Sequence, residues 1–136
     1  MLATKDVTTL RNIGDKLICG TYNKVGYFLV DYNSKEEKKL CDANAHVLNM
    51  DLLSLIDAKY SNLVITREIS SLNILNITTA TLTKLVDIPS NYWLNDNLMQ
   101  VIPKDKDNFS VVVIGKDDKE ILKWTVKTSL LDVLIA

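Results

Sequence analysis

Glycine and proline are scarce in this chain, four and two among 136 residues. That excludes collagen-like sequences and the Gly/Pro-rich composition of disordered linkers. Cysteine is scarcer than a disulfide-stapled secreted domain requires: only Cys19 and Cys41 are present. Both read as small buried hydrophobes in a reducing compartment. The single histidine, His46, lies between Ala45 and Val47, without the carboxylates or thiolates that a general base or a zinc ion needs nearby. Neither sign of charge dominates. Sixteen basic and seventeen acidic side chains leave a formal charge of −1, which argues against a strongly basic nucleic-acid binder. No run approaches the ~18 apolar residues of a membrane span, and the start, MLATKDVTTLRNIGDK, lacks a basic segment followed by an apolar core. The expectation is a soluble intracellular protein of cytoplasm or nucleus with no membrane contact. There is no Gly-rich phosphate loop, nucleophile elbow or paired-carboxylate motif, so neither an enzyme nor a bound cofactor or metal is expected.

What the chain does have is β-forming sequence. Hydrophobic residues make up 47%, enough for a packed core. They are concentrated in short runs rich in β-branched and aromatic residues: KLICGTY, GYFLVDY, NLVITRE, LNILNIT, FSVVVIG and EILKWTV. Polar clusters such as Asn23-Lys24, Ser70-Ser71 and Asp117-Asp118-Lys119 separate them. Evenly spaced short strands with turn residues between them predict an antiparallel all-β meander. The segment HVLNMDLLSLI suits a buried strand or a short helix.

The runs repeat. LVDYNS, LNITTA and WTVKTS align on Asp31, Asn76 and Thr125, which are 45 and 49 residues apart. The preceding strands align as Leu17–Gly20, Leu63–Thr66 and Val112–Gly115, at spacings of 46 and 49. A period in the mid-forties with four strands per unit is that of a propeller blade.

Strand by strand, each unit resembles a WD40 repeat. The resemblance implies a first blade of Val7–Ile13, Lys16–Tyr22, Gly26–Asn33 and Lys38–Asn44. It implies a second of Val47–Ile56, Asn62–Arg67, Ser71–Ile77 and Thr81–Ile88. A third follows as Trp93–Ile102, Phe109–Ile114, Glu120–Val126 and Ser129–Ile135. The chain is then one domain of three blades, about 1–44, 45–89 and 90–136. The family's Gly-His pair survives as Ala45-His46, and its Trp-Asp ending as Val30-Asp31, Leu75-Asn76 and Trp124-Thr125. His46 and Thr66 match two of the four members of the family's hydrogen-bonded chain, while Ser70 or Ser71 and Leu75 replace the others.

Three blades form an incomplete ring. The expected function is therefore a non-catalytic protein-interaction scaffold, completed by another chain or by further sequence, with protein partners and an oligomer or larger complex. Candidate protein-binding residues lie on one rim: Tyr22, Arg67, Glu68, Tyr92, Trp93 and Lys116. Tyr92 and Trp93, after Pro89-Ser90-Asn91, have the character of interface anchors; the competing reading packs Trp93 between blades. The mixed-sign runs Ser34–Lys39, Lys104–Asp107 and Lys116–Lys119 read as solvated turns.

Two alternatives differ in class. AHVLNMDLL followed by LVITRE is loosely similar to blades of the WD40 subunit of tRNA guanine-methylating complexes, which implies a nucleic-acid-associated non-catalytic subunit. A PH-like barrel ending in a helix over Thr125–Leu134 would instead place Val126, Leu130, Leu131 and Leu134 near one helical face.

Overall fold

A computed structural model describes residues 7–21, 26–93, 98–115 and 118–135. Among these residues, eleven strands form three separate antiparallel sheets. The first contains β1 (Val7–Ile13), β2 (Lys16–Thr21), β3 (Tyr27–Asp31) and β4 (Glu37–Cys41) in sequence order. The second contains β5 (Val47–Leu52), β6 (Leu63–Glu68), β7 (Ser71–Asn76) and β8 (Thr81–Asp87), again in order. The third has only β9 (Leu98–Pro103), β10 (Asn108–Ile114) and β11 (Glu120–Lys127). The inner strands touch in succession, β1 against β5 and β5 against β9. The expected all-β, blade-by-blade architecture is what the chain adopts, as separate stacked sheets and not a closed barrel.

Three elements differ from expectation. The fourth strand expected over Ser129–Ile135 is a helix, α1 (Thr128–Leu134). The long inner strand expected over Val47–Ile56 stops at Leu52 and passes into 3-10 turns at Leu53–Leu55 and Ala58–Tyr60. The strand expected from Trp93 starts at Leu98, after a 3-10 turn at Ser90–Tyr92.

The helix begins where the turn of the other blades is missing. In the first two blades, an Asx side chain at the end of the third strand builds the turn into the fourth. Asp31 Oδ1 accepts from the N–H groups of Asn33 and Ser34 at 2.8 and 3.1 Å. Asn76 Oδ1 accepts from Thr78 and Thr79 at 2.9 and 3.1 Å. Both turns then place a non-glycine residue at positive φ, Lys35 at 63° and Ala80 at 59°. The aligned residue of the third blade is Thr125, whose hydroxyl imitates this turn more weakly. There β11 runs on to Lys127, and α1 turns back toward the second blade.

Bulges give the repeat a second signature. The inner pair slips between Val7 and Thr9 in the first blade and between Val47 and Asn49 in the second. The outer pair slips between Tyr27 and Phe28, and correspondingly between Leu72 and Asn73. These bulges make Gly20 equivalent to Arg67, and Thr21 to Glu68, a spacing of 47. The alignment by apolar run alone, at 46, is one residue off and exchanges the faces of the strand. The cause is visible in β6 and β7, where every residue is buried. A strand apolar on both faces carries no alternation to fix its register.

Both faces are buried because the second sheet is packed on each side. Its Val64 and Leu75 meet Ile18, Tyr27, Leu40 and Val47 in one core. Its Leu63, Ile65, Leu72 and Ile74 meet Phe109, Val111, Val126 and Leu131 in the other. At the first seam Gly20 is required, since a Cβ there would lie 2.6 Å from Val47 Cγ1.

Asn76 also holds α1, donating from Nδ2 to the Leu134 carbonyl at 3.0 Å. Asn76→Ala removes the turn acceptor and this tie together. The expected loss is about 1–2 kcal/mol by urea unfolding. A loss below about 0.5 kcal/mol would show that the turn and the tie contribute nothing.

Candidate functional site

Antiparallel pairing sends alternate connections to opposite ends of the stack. One rim carries Asp42–His46, Ile69–Ser70, Ile88–Trp93 and Gly115. It is the rim on which the six candidate residues were expected to converge. Tyr22 and Lys116 lie outside the described residues. Of the other four, only Trp93 is openly exposed, at 41%; Tyr92 is half-buried.

Arg67 and Glu68 do not emerge. Both are fully buried, and because neighbours on a strand point to opposite faces, they enter different seams. Arg67 rises between the second and third blades. Its Nη2 donates to the Tyr92 carbonyl at 3.0 Å and its Nη1 to that of Ile69 at 3.5 Å, while Nε has no partner. No carboxylate among the described residues pairs with it, and burial pulls the guanidinium pKa below its ordinary value. The sequence brought Arg67 and Tyr92 to one place correctly. Their relation is that of a buried post under a rim turn.

The turn it supports carries Trp93. The indole Nε1–H donates to the Ile88 carbonyl at 2.6 Å, and Ile88 N–H donates to Ser70 O at 2.9 Å. The ring is therefore fixed at its polar edge and offers its apolar surface outward, an arrangement with little rotamer entropy left to lose on contact.

Glu68 faces the first blade. Its Oε2 accepts from Tyr27 Oη at 2.7 Å and its Oε1 from Ala45 N–H at 2.8 Å. Tyr27 Oη also lies 2.9 Å from Thr66 Oγ1. Burial raises the Glu68 pKa; the hydrogen bonds from Tyr27 and from the Ala45 and Asn44 backbones oppose that rise. Thr66 thus belongs to a network that joins two blades through a tyrosine and a glutamate. His46 enters the same rim through its carbonyl, which accepts from Ile69 N–H at 2.9 Å. Cys19, fully buried, has its thiol pushed up to about 11 by burial, and burial raises Cys41 too.

The opposite rim holds what the sequence reading passed over. A cavity of about 560 Å³ is lined by Lys59, Lys106, Lys127, Asp107, Asp132 and Thr128 among others. A second, of about 320 Å³, adjoins it at Lys59, Lys106 and Thr128 and adds Asp57, Tyr60 and Asp105. Asp132 accepts from Tyr60 Oη at 2.7 Å and pairs with Lys59 at 3.3 Å. Three lysines against four aspartates create little field for a polyanion. The KDKD run at Lys104–Asp107 was legible as a loop, but its nearness to α1 depends on the helix. Among the described residues no group of three or more His, Cys, Asp or Glu could hold a metal, and no helix is long and apolar enough to cross a membrane.

No family model matches the sequence, and no curated protein matches it. Solved structures do. The N-terminal domain of Nup159 superposes with a TM-score of 0.50 at 14% identity, over 94% of this chain and 33% of that one. The AfRom2 CNH domain superposes with a TM-score of 0.53 at 14% identity, over 92% of this chain and 45% of that one. Both are β-propeller domains. The chain spans less than half the length of either, and at such identity the likeness concerns the fold alone.

Proposed function

We propose that this chain is a non-catalytic protein-interaction scaffold, a propeller segment whose first blade seats a further blade supplied by another chain. The observation that carries the reading is the outward face of the first sheet. Leu10, Cys19 and Phe28 are in register across β1, β2 and β3, and Leu17 is in register with Val30. The other face of the same sheet holds Ile18 and Tyr27 against the second blade. Cys19 and Phe28 on this face are already enclosed, at 0% and 6% exposed, so its open part is a strip of Leu10, 47% exposed, with the half-buried Leu17 and Val30, bordered by Asn12, Glu37 and Lys39. That strip is what a further blade would cover. Within the described elements, no extensive contact joins the first sheet to the third. The Trp93 rim supplies a preorganised surface for a protein partner, in keeping with the expected scaffold role.

Light scattering coupled to size exclusion tests this. The wild-type chain is expected at about twice 15.3 kDa. Leu10→Lys is expected to be monomeric with an unchanged far-UV circular dichroism spectrum, because the side chain is already half in solvent within the single chain. A wild-type monomer at every concentration, unaffected by Leu10→Lys, overturns the seat for a second copy.

A further inference from the structure

Among the described residues the third blade is short of a strand, and its outer edge is the longest strand in the described fold. β11 runs eight residues, Glu120–Lys127, and pairs only with β10. The corresponding third strands of the other blades, β3 and β7, are covered by β4 and β8. α1 does not substitute for the missing strand. It is anchored beneath the second blade, through Tyr60 to Asp132 and through Asn76 to the Leu134 carbonyl. Among the described residues the outward N–H and C=O groups of β11 therefore form an unpaired row, which is a template for strand addition.

We propose that the edge of β11 is the docking site for an extended partner peptide whose side chains alternate apolar and acidic. The two faces of β11 specify that alternation. On the face toward the second blade, Leu122 and Trp124 are half-buried against the central core. In the complete blades the fourth strand adds apolar groups at this depth: Leu40 and Cys41 from β4, Leu85 and Val86 from β8. A peptide strand beside β11 would place apolar side chains against Leu122 and Trp124 in the same way. On the opposite face, Lys123, Thr125 and Lys127 are exposed. Carboxylates directly across from the two lysines form favourable cross-strand pairs.

The same lysines select against the simplest competitor, a second copy. Antiparallel pairing of two β11 strands centred on Thr125 sets Lys123 opposite Lys127 twice, and like charges directly opposed are destabilising. In that register the edge disfavours a second copy and favours an acidic strand. This inference rests on reading the chain as an interaction module with an unfinished third blade; it is independent of how the first blade is covered.

The test uses the whole chain and an end-capped peptide of about ten residues alternating Val and Glu. Its controls are the Val/Lys counterpart and a Val/Glu peptide N-methylated at every second residue. Backbone amide exchange along β11 is followed by NMR. Trp124 fluorescence is followed in a Trp93→Phe background. Saturating Val/Glu peptide is expected to slow exchange of the outward β11 amides at least about tenfold and to shift Trp124 emission. The Val/Lys and N-methylated peptides should do neither. Lys123→Glu with Lys127→Glu should transfer binding to the Val/Lys peptide.

Equal binding of the N-methylated peptide overturns strand addition. Amides already protected in the free chain show the edge covered by the chain itself, and protection that rises with protein concentration shows a second copy; either overturns the proposal. Peptide binding in a monomeric chain would sink only the seat on the first blade. Dimerisation without peptide binding would sink only the open edge.

Discussion

Phe109→Ala is expected to lower the unfolding free energy by about 3–5 kcal/mol, the cost of emptying a fully enclosed aromatic site. Phe109 is 0% exposed in the core that joins the second and third blades. It lies on β10 between Pro103 of β9 and Val126 of β11. That core draws on β6, β7, β9 and β11, on Leu53 and Tyr60 from the inter-strand turns and on Leu131 from α1. Because the hole is bounded by separate elements, it cannot collapse by one side chain changing rotamer. For a domain whose total stability is typically about 5–15 kcal/mol, such a loss is a large fraction of the whole. Urea unfolding followed by tryptophan fluorescence and by far-UV circular dichroism should give coincident transitions at a lower midpoint. Val133, 72% exposed on α1, provides the contrast: Val133→Ala should change stability by no more than about 0.5 kcal/mol. A loss below about 1 kcal/mol for Phe109→Ala would mean that the third blade is not cooperatively attached.

Tyr27→Phe should cost about 1–3 kcal/mol, because it leaves one oxygen of a buried carboxylate without its donor, and the penalty should grow with pH. Burial raises the pKa of Glu68 in the folded chain, and the Tyr27 hydrogen bond holds that rise in check. A carboxyl whose folded pKa exceeds its unfolded pKa contributes stability below the unfolded value. That contribution is lost as pH rises through the folded value. Removing the Tyr27 hydroxyl moves the folded pKa further up, so more stability is lost once Glu68 is forced to ionise. The gap between wild type and Tyr27→Phe is therefore expected to be larger at about pH 7 than at about pH 4. In a Glu68→Gln background the pH-dependent part should vanish. Acidic groups held below their ordinary pKa, such as Asp31 and Asp105, give the opposite slope but cancel in the difference between variants. A gap independent of pH would show that Glu68 is already protonated across the range, and that the network is a neutral one.

Strand positions were legible in the sequence wherever a polar turn bounded a β-branched run. β1 falls on the residues expected of it, and β2, β6, β7 and β8 lie within a residue or two of the expected ends. The Asp31 and Asn76 positions were also legible as equivalent, and the structure adds the reason, since each caps the same turn. The register of β2 against β6 was not. Leu17-Ile18-Cys19 and Leu63-Val64-Ile65 are apolar at every position, so a slip of one residue costs nothing in composition and changes only which blade each side chain meets. Helix α1 was legible only as an alternative. SLLDVL supports helical spacing and a buried strand equally, and the decision rests on contacts far along the chain, with Tyr60 and Asn76.

The rim shows the same division. The sequence by itself determined that Arg67, Glu68, Tyr92 and Trp93 would gather at one end of the blades, because strand length and antiparallel order fix where each connection falls. Only the tertiary structure decided what each side chain does there. Arg67 and Glu68 are adjacent charged residues that composition assigns to solvent. Sheets stacked on both faces of β6 enclose them instead, one beneath the Tyr92 turn and the other against Tyr27. Burial is a property of what packs on a strand, and for a central blade those neighbours are supplied by segments tens of residues away.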